Sequence, residues 1–155
     1  MKFNVKVSGL TGLTSKYKAK AAGLKDMARF WGKVGDWFID RTIKERFDKE
    51  RAPDGTPWAP WSEGYRARMA KKGKGGNKIL ADTGELRRSL HRETKRDSVV
   101  VGTAKEYAAT HQFGDAKRNI PARPFLGIDE ADKEEIRKKV ARYIKRCGSR
   151  GMKEQ

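Results

Sequence analysis

The chain has one cysteine, two histidines and no long apolar run among its 155 residues. Cys147 cannot form a disulfide within the chain, and nothing has the Cys/His spacing of a zinc site. Acid-base catalysis usually needs a group that titrates near neutrality, and neither His91 nor His111 has suitable neighbours in sequence. No segment approaches the roughly twenty apolar residues of a membrane span. We therefore expect no metal, no cofactor, no membrane insertion and no enzymatic activity.

Basic residues are in large excess, with 37 Lys and Arg against 20 Asp and Glu and a formal net charge of +17. The excess is concentrated in Tyr65–Arg96, with eleven basic residues against three acidic, and in Lys133–Gln155, with nine against three. Such a charge predicts an acidic partner, which nucleic acid, an anionic membrane surface or an acidic protein face would provide. The first eight residues lack the apolar core of a signal peptide, so we expect a soluble protein made in a reducing cytoplasm.

Residue patterns predict an α+β fold, in which a small antiparallel sheet of three to four strands packs against long helices from both ends of the chain. Alternation over residues 2–8 and the β-branched run Val99–Val101 predict strands, the second paired with His91–Thr94. Apolar residues at helical spacing predict helices over residues 16–50 and 129–147. Gly32 to Gly35 should mark a break or a close packing contact in the first helix.

Shorter elements and the domain limits follow from local signals. We expect a helical turn over Thr83–Leu90, begun by a capping box between Asp82 and Glu85, although a strand fits nearly as well. The other expected elements are a helix over Ala104–Gln112 ended by Gly114 as a left-handed cap, and an extended strand over Ile120–Leu126. Residues 1–148 should form a single domain with a flexible basic loop at 70–78, followed by a mobile tail at 149–155.

Three segments have rigid backbone chemistry: Pro53–Trp61, His111–Gly114 and Ile120–Gly127. In the first, three prolines within eight residues hold φ near −65° and keep each preceding residue extended. Asp54-Gly55 provides the turn at its start. Trp58 and Trp61 are thus presented on a stiff arm, either folded over the domain's own core, which we favour, or inserted in a pocket of a neighbouring subunit.

The same three segments occur in a characteristic order with Phe47, Ile79-Leu80-x-x-Thr83-Gly84-x-Leu86, Gly102-Thr103 and Tyr107-Ala108. Over Phe47 to Gly127 the chain resembles the phage virion morphogenesis family, the tail-completion and head-tail joining proteins of Mu-like and related tailed phages. The Lys71–Lys78 stretch lies outside the resemblance, because the family has no fixed pattern there.

The resemblance implies a structural virion protein of a tailed phage or prophage, made in the host bacterial cytoplasm and located at the tail end or neck. It would complete the tail and stabilise head-tail joining as a homo-oligomeric ring around the DNA path. Its partners would be the tail tube or sheath and the neck or connector proteins. We expect contacts with subunits or neighbours at Pro53, Trp58, Trp61, His111, Phe113, Arg123, Pro124 and Phe125.

Two other interpretations remain open at this point. The chain could be a stand-alone basic nucleic-acid-binding module, in which the charge is the function and the proline segments are scaffold. The residues that would then face DNA without reading its sequence, or line the DNA path of a ring, are Lys71, Lys72, Lys74, Lys78, Arg87 and Arg88. A nuclease with metal bound by the acids of residues 129–135 is the third, but the dipole of a helix beginning there already explains those acids.

Overall fold

A computed structural model describes residues 3–6 and 27–150, and the side chains of residues 27–146. The predicted first strand and first helix are thus described in part, over residues 3–6 and from residue 27 onward. The side chain of Cys147 and residues 151–155 of the predicted tail lie outside the described residues.

The described part of the chain contains helices and one small sheet. In chain order the elements are β1 (Phe3–Lys6), α1 (Ala28–Thr42), a π-helical turn (Ile43–Phe47), α2 (Glu63–Lys71), α3 (Glu85–Arg88), β2 (His91–Thr94), β3 (Val99–Thr103), α4 (Ala108–Phe113) and α5 (Glu130–Arg150). The three strands form one sheet in the order β1-β3-β2. The α+β class and the hairpin between β2 and β3 are therefore confirmed.

The chain divides into two compact units. Unit 1 comprises Met1–Val5, Phe38–His91 and Val101–Gly127, and unit 2 comprises Lys6–Trp37, Arg92–Val100 and Ile128–Gln155. The single domain predicted over residues 1–148 stays a prediction.

Unit 2 has an aromatic core where α1 meets α5. The ring of Phe30 lies 5.1 Å from that of Trp31 and 4.6 Å from that of Tyr143. Ile136 and Val140 of α5 are buried as well. Trp31 of α1 and Tyr143, Ile136 and Val140 of α5 belong to the apolar stripes that predicted both helices, so burying the stripes explains why α1 and α5 form.

The start of α5 is defined by reciprocal hydrogen bonds between two aspartates. The Asp132 backbone N–H donates to Asp129 Oδ1 at 2.6 Å, and the Asp129 N–H donates to Asp132 Oδ2 at 3.1 Å. This is the bonding logic of a capping box, here with aspartate at both positions. The helix continues to Arg150, three residues beyond the predicted end at residue 147 and into the predicted tail.

Close packing, and not a break, explains the glycines of α1. A Cβ on Gly35 would lie 2.7 Å from both Arg92 Cδ and Val99 Cγ2. Val99 is buried, and Arg92 is held in place by an ion pair with Asp36. The helix runs unbroken through Gly32 and Gly35. Only glycine lets β2 and β3 approach the helix this closely.

Unit 1 departs from the predicted helix ends. The regular α-helix ends at Thr42 and is followed by a π-helical turn. In this turn the Asp48 N–H donates to the Ile43 carbonyl at 3.0 Å. The predicted capping box at α3 is wrong. Gly84, with φ of 69°, precedes the helix instead, and the Glu85 carboxylate forms an ion pair with Lys105 at 2.8 Å.

Replacing Gly35 by alanine tests the close approach of α1 to the hairpin. We expect Gly35→Ala to destabilise the protein by about 1–2 kcal/mol, because overpacking costs about 1–3 kcal/mol and helix propensity returns up to about 1. Gly64→Ala in α2 is the control, since nothing lies within 4 Å of its new Cβ. Urea unfolding of both variants measures the difference. Equal stability of the two would contradict this account.

Candidate assembly surface and cleft

The three rigid segments found in the sequence meet in unit 1. The Trp58 indole N–H donates to the Pro124 carbonyl at 2.8 Å, joining the first segment to the third. A Cβ on Gly127 would lie 2.6 Å from Pro53 Cγ, so the two segments touch there as well. We call Pro53–Trp61, His111–Gly114 and Ile120–Gly127 together the motif cluster.

The proline arm begins in the predicted turn. Gly55 has φ of 86°, and the Thr56 N–H donates to Asp54 Oδ1 at 2.9 Å. This bond to Thr56 lowers the pKa of the Asp54 carboxyl. The Trp58 N–H then donates to the Glu50 carbonyl at 2.8 Å, which folds the arm back on the chain.

Aromatic packing encloses part of the predicted contact surface. Phe47 lies 5.6 Å from Trp58 and 5.5 Å from Phe125, measured between ring centroids. Trp58 is 5% exposed and Phe125 is 0% exposed, so both rings belong to the core of unit 1. For Trp58 this is the account that the sequence favoured. The sequence analysis predicted that Trp58 and Phe125 contact a neighbour directly. Because both rings are buried, this prediction is corrected: the two rings support the surface from beneath.

Gln112 binds the backbone of the segment Ile120–Leu126, which was predicted to be an extended strand. Its Oε1 accepts from the N–H groups of Phe125 at 3.1 Å and Leu126 at 3.0 Å, and its Nε2 donates to the Leu126 carbonyl at 2.7 Å. The predicted strand is wrong, because Pro121 and Pro124 have no N–H to offer a ladder. A buried side-chain amide satisfies these backbone groups instead.

Arg123 links the third segment to the other two. Its backbone N–H donates to the His111 carbonyl at 2.6 Å, while its Nε donates to the Ala59 carbonyl at 2.8 Å and its Nη2 to the Pro60 carbonyl at 3.0 Å. Burial lowers the pKa of the guanidinium. Carbonyl oxygens hold this cation, and no carboxylate forms an ion pair with it in the part of the chain that the structure describes.

Gly114 ends α4 in a conformation that needs glycine. Its φ is 78° and its ψ is 176°, a region almost restricted to glycine, so the predicted left-handed cap is corrected. A Cβ there would lie 2.8 Å from the Ala122 nitrogen. Beyond it, Asp115 and Ile120 exchange backbone hydrogen bonds of 2.8 and 2.9 Å, which close a tight loop.

Two large aromatic side chains of α4 and its N-terminal cap face solvent. Phe113 is 65% exposed and Tyr107 is 42% exposed. Phe113 lies between Gln112, fixed by three hydrogen bonds, and Gly114, whose N–H donates to Thr110 at 2.7 Å. Phe113 is thus the most exposed large hydrophobic side chain among the described residues and stands on hydrogen-bonded backbone, and aromatic residues are enriched at protein interfaces.

A cleft of about 1130 Å³ opens beside the motif cluster, within unit 1. Its aromatic and basic walls include Trp61, Tyr65, Arg68, Tyr107, His111 and Arg123. The Arg68 guanidinium lies 5.0 Å from the centre of the Tyr65 ring, and Trp61 packs edge-on against the same ring at 5.3 Å. Trp61, His111 and Arg123 were predicted contact residues, and the structure brings all three together here.

Tyr65 and Arg68 are cleft residues that the sequence analysis missed. They lie on α2, where a flexible connector was the only expected feature nearby. Ser62 was the available signal, because its Oγ accepts from the Tyr65 N–H at 3.4 Å as an N-cap. The helix buries only Met69, so its apolar periodicity was too weak to predict it.

His111 is partly enclosed in the cleft wall. Its ring lies 5.9 Å from that of Tyr107, and its Nδ1 is buried without a hydrogen-bond partner among the described residues. Burial, followed by the charges of Arg123 and Arg118, lowers its pKa from the ordinary value of 6.5. The neutral imidazole is the form that this site holds.

Most of the predicted DNA-facing residues are engaged within unit 1. Lys74 pairs with Asp82, Arg87 with Asp48 at 2.7 Å, and Lys78 and Arg88 donate to backbone carbonyls at 2.7 Å. Lys71 and Lys72 are exposed at the end of α2. Carboxylates therefore offset the charges of Lys74 and Arg87, whereas Lys78 and Arg88, bound to neutral carbonyls, keep their charge.

Two other kinds of site are absent from the described residues. They contain no group of three or more His, Cys, Asp or Glu that could hold a metal ion. No helix among them is both long and apolar enough to cross a membrane.

Comparison with known proteins identifies the family. The model of the phage virion morphogenesis family matches residues 8–145. The chain belongs to this family. Its members are structural and morphogenesis proteins of phages and not a known class of enzyme.

Several relatives of this virion morphogenesis protein come from Mu and Mu-like prophages. The chain is 31% identical over 115 residues to "Putative capsid assembly protein G" of Escherichia phage Mu, covering 67% of this chain and 74% of that protein. It is 37% identical over 93 residues to Mu-like prophage FluMu G protein 1 of Haemophilus influenzae, covering 59% and 62%. No solved structure matches. The relatives support a structural or assembly role in the phage particle.

Removing the amide of Gln112 tests how this virion morphogenesis protein holds its motif cluster. We expect Gln112→Met to cost about 3 kcal/mol, because two N–H groups and one carbonyl lose their buried partner. Glu106→Met, an exposed change just before α4, should stay within about 0.5 kcal/mol. Chemical unfolding compares the two variants, and a Gln112→Met protein as stable as this control would refute the assigned role.

His111 should make stability depend on pH. Its folded-state pKa is lowered, so the unfolded chain binds the proton first as pH falls through about 6.5, and stability present above that pH is lost below it. We expect the free energy of unfolding to be lower at pH 5.5 than at pH 7.5. Part of this loss should disappear in His111→Gln and remain in the control His91→Gln. Identical pH profiles for the two variants would contradict the prediction.

Proposed function

We propose that this chain completes the tail of a tailed phage or prophage and stabilises the head-tail joint, acting at the tail end or neck. It does so as a homo-oligomeric ring around the DNA path, in contact with the tail tube or sheath and the neck or connector proteins. The observation that carries this proposal is the exposure of Phe113 on a backbone held rigid from both sides.

A preorganised aromatic ring is an efficient contact. Phe113 sits next to the buried Gln112, whose hydrogen bonds already fix the backbone in the free protein. Docking this ring into a neighbour therefore requires little further ordering of the backbone, which is one of the costs of association. Buried aromatic anchors of this kind typically contribute about 2 kcal/mol or more to association.

The same contact, repeated from copy to copy, favours a ring. Tyr107 and Phe113 are exposed at the two ends of α4, while the rings of Trp58 and Phe125 are buried within the motif cluster. A head-to-tail contact between different surfaces closes into a ring when the rotation per copy divides a full turn. Pro53, Trp61, His111, Arg123 and Pro124 complete the proposed contact region or hold its shape.

Contact with DNA would be electrostatic and independent of base sequence. Lys71 and Lys72 are exposed, and the chain carries a net charge of +17. Lysines that meet phosphates release counterions and tolerate any sequence. Such contacts suit the lining of a channel through which DNA passes.

Phe113 separates this proposal from a stand-alone nucleic-acid-binding module. We expect Phe113→Ala to keep the wild-type unfolding transition but to yield unjoined heads and tails, counted by electron microscopy in lysates that contain only the variant chain. Phe113→Tyr, which keeps the ring, should restore joined particles, and Lys117→Ala on the neighbouring exposed turn should leave them unchanged.

The opposite result would favour the alternative. Normal numbers of joined particles from Phe113→Ala would refute the contact. If the isolated chain also bound duplex DNA as a monomer, with affinity that falls steeply as salt rises, the nucleic-acid-binding module would be the better account.

A further inference from the structure

The cleft beside the motif cluster contains two cations without carboxylate partners. Arg123 is 7% exposed and is held by the Ala59 and Pro60 carbonyls, and Arg68 stands over the Tyr65 ring at the other wall. Neither forms an ion pair with any of the described residues. Burying the Arg123 guanidinium without an anion is costly, and the Arg68 guanidinium is exposed, so an incoming carboxylate would gain charge-assisted hydrogen bonds here.

The acids of the cleft do not neutralise these arginines. Asp82 pairs with Lys74 and Glu85 pairs with Lys105, and neither lysine lines the cleft. Arg118, a third basic residue of the lining, is paired with Asp115 at 2.7 Å. Arg68 and Arg123 therefore provide the charge that remains for a ligand.

The shape and the remaining lining favour a peptide. The volume of about 1130 Å³ lies near the upper end of the roughly 300–1,000 Å³ of typical small-molecule sites, so the cleft has room for a peptide segment. Trp61, Tyr65 and Tyr107 present aromatic surface beside the two arginines, and these are the residue types enriched at protein contacts. A nucleic-acid backbone fits less well, because its repeated phosphates would also meet the carboxylates of Asp82 and Glu85.

We propose that this cleft binds an extended segment of another virion protein, in which an Asp or Glu side chain reaches Arg68 and Arg123 while a neighbouring apolar or aromatic side chain packs against Trp61 and Tyr65. The inference rests on the proposed assembly role for the source of the segment. It deepens that role by naming the chemistry of the partner.

Selection from a library of displayed random decapeptides on the purified full-length chain tests the proposal. We expect the enriched peptides to carry Asp or Glu within two positions of an aromatic or aliphatic residue. Because any acidic peptide is attracted to a chain of charge +17, the enriched peptides must then be measured individually against variants. Arg68→Gln should weaken binding at least tenfold. Arg66→Gln, an exposed change of equal charge on the same helix, should weaken it less than threefold.

A double-mutant cycle locates the contact. Changing the acidic residue of the peptide to its amide should also cost about tenfold, and the amide peptide should not distinguish Arg68→Gln from wild type. Since Arg68 is exposed, neither Arg68→Gln nor Arg66→Gln should change the unfolding transition.

Three results would overturn the inference. These are no enrichment of acidic peptides, equal losses for Arg68→Gln and Arg66→Gln, and displacement of the peptides by a ten-nucleotide oligothymidylate that binds more tightly. If the peptide-binding experiment fails but Phe113→Ala yields unjoined particles, the peptide-binding role of the cleft is rejected and the assembly role is kept. If peptides bind specifically but Phe113→Ala yields normal particles, the peptide-binding role of the cleft is kept and the assembly role is rejected.

Discussion

The buried amide of Gln112 is the interaction on which unit 1 most depends. A segment with Pro121 and Pro124 cannot join a sheet, yet its backbone must be buried for Phe125 to reach the core. The amide accepts hydrogen bonds from two N–H groups and donates one to a carbonyl, so it takes the place of the neighbouring strand that a sheet would provide. Because this side chain comes from α4, the same bonds fix the helix that exposes Phe113. Core formation and surface presentation are therefore coupled through one residue.

Elements with strong local signals were predictable from the sequence. Val99–Val101 could only be a strand in a short β-branched run, and the apolar stripe around Ile136 and Val140 required a helix. The Asp54-Gly55 turn followed from backbone chemistry alone. In each of these cases neighbouring residues decide the conformation.

The remaining features depend on residues distant in sequence. The sequence around Gln112 does not indicate its hydrogen bonds to Phe125 and Leu126. The sequence around Glu85 does not indicate that its carboxylate pairs with Lys105 and not with the backbone in the expected capping box. The cleft was predictable only in part. Trp61, His111 and Arg123 belong to the rigid segments, but Tyr65 and Arg68 lie on a short polar helix with no apolar face to detect. These two residues reach the cleft because the fold brings them close to the rigid segments, and composition and spacing do not contain that information.

An exposed aromatic ring and a strong like charge act in opposite directions between free copies of the chain. In the proposed ring, the contact made by Phe113 would favour self-association, while a net charge of +17 repels separate molecules. An acidic surface on a growing particle would cancel the repulsion locally and leave the ring's attraction in force. If the proposed ring forms, the protein would remain dispersed at low concentration and condense only where a template is present, and the balance of these two forces would set the timing of assembly.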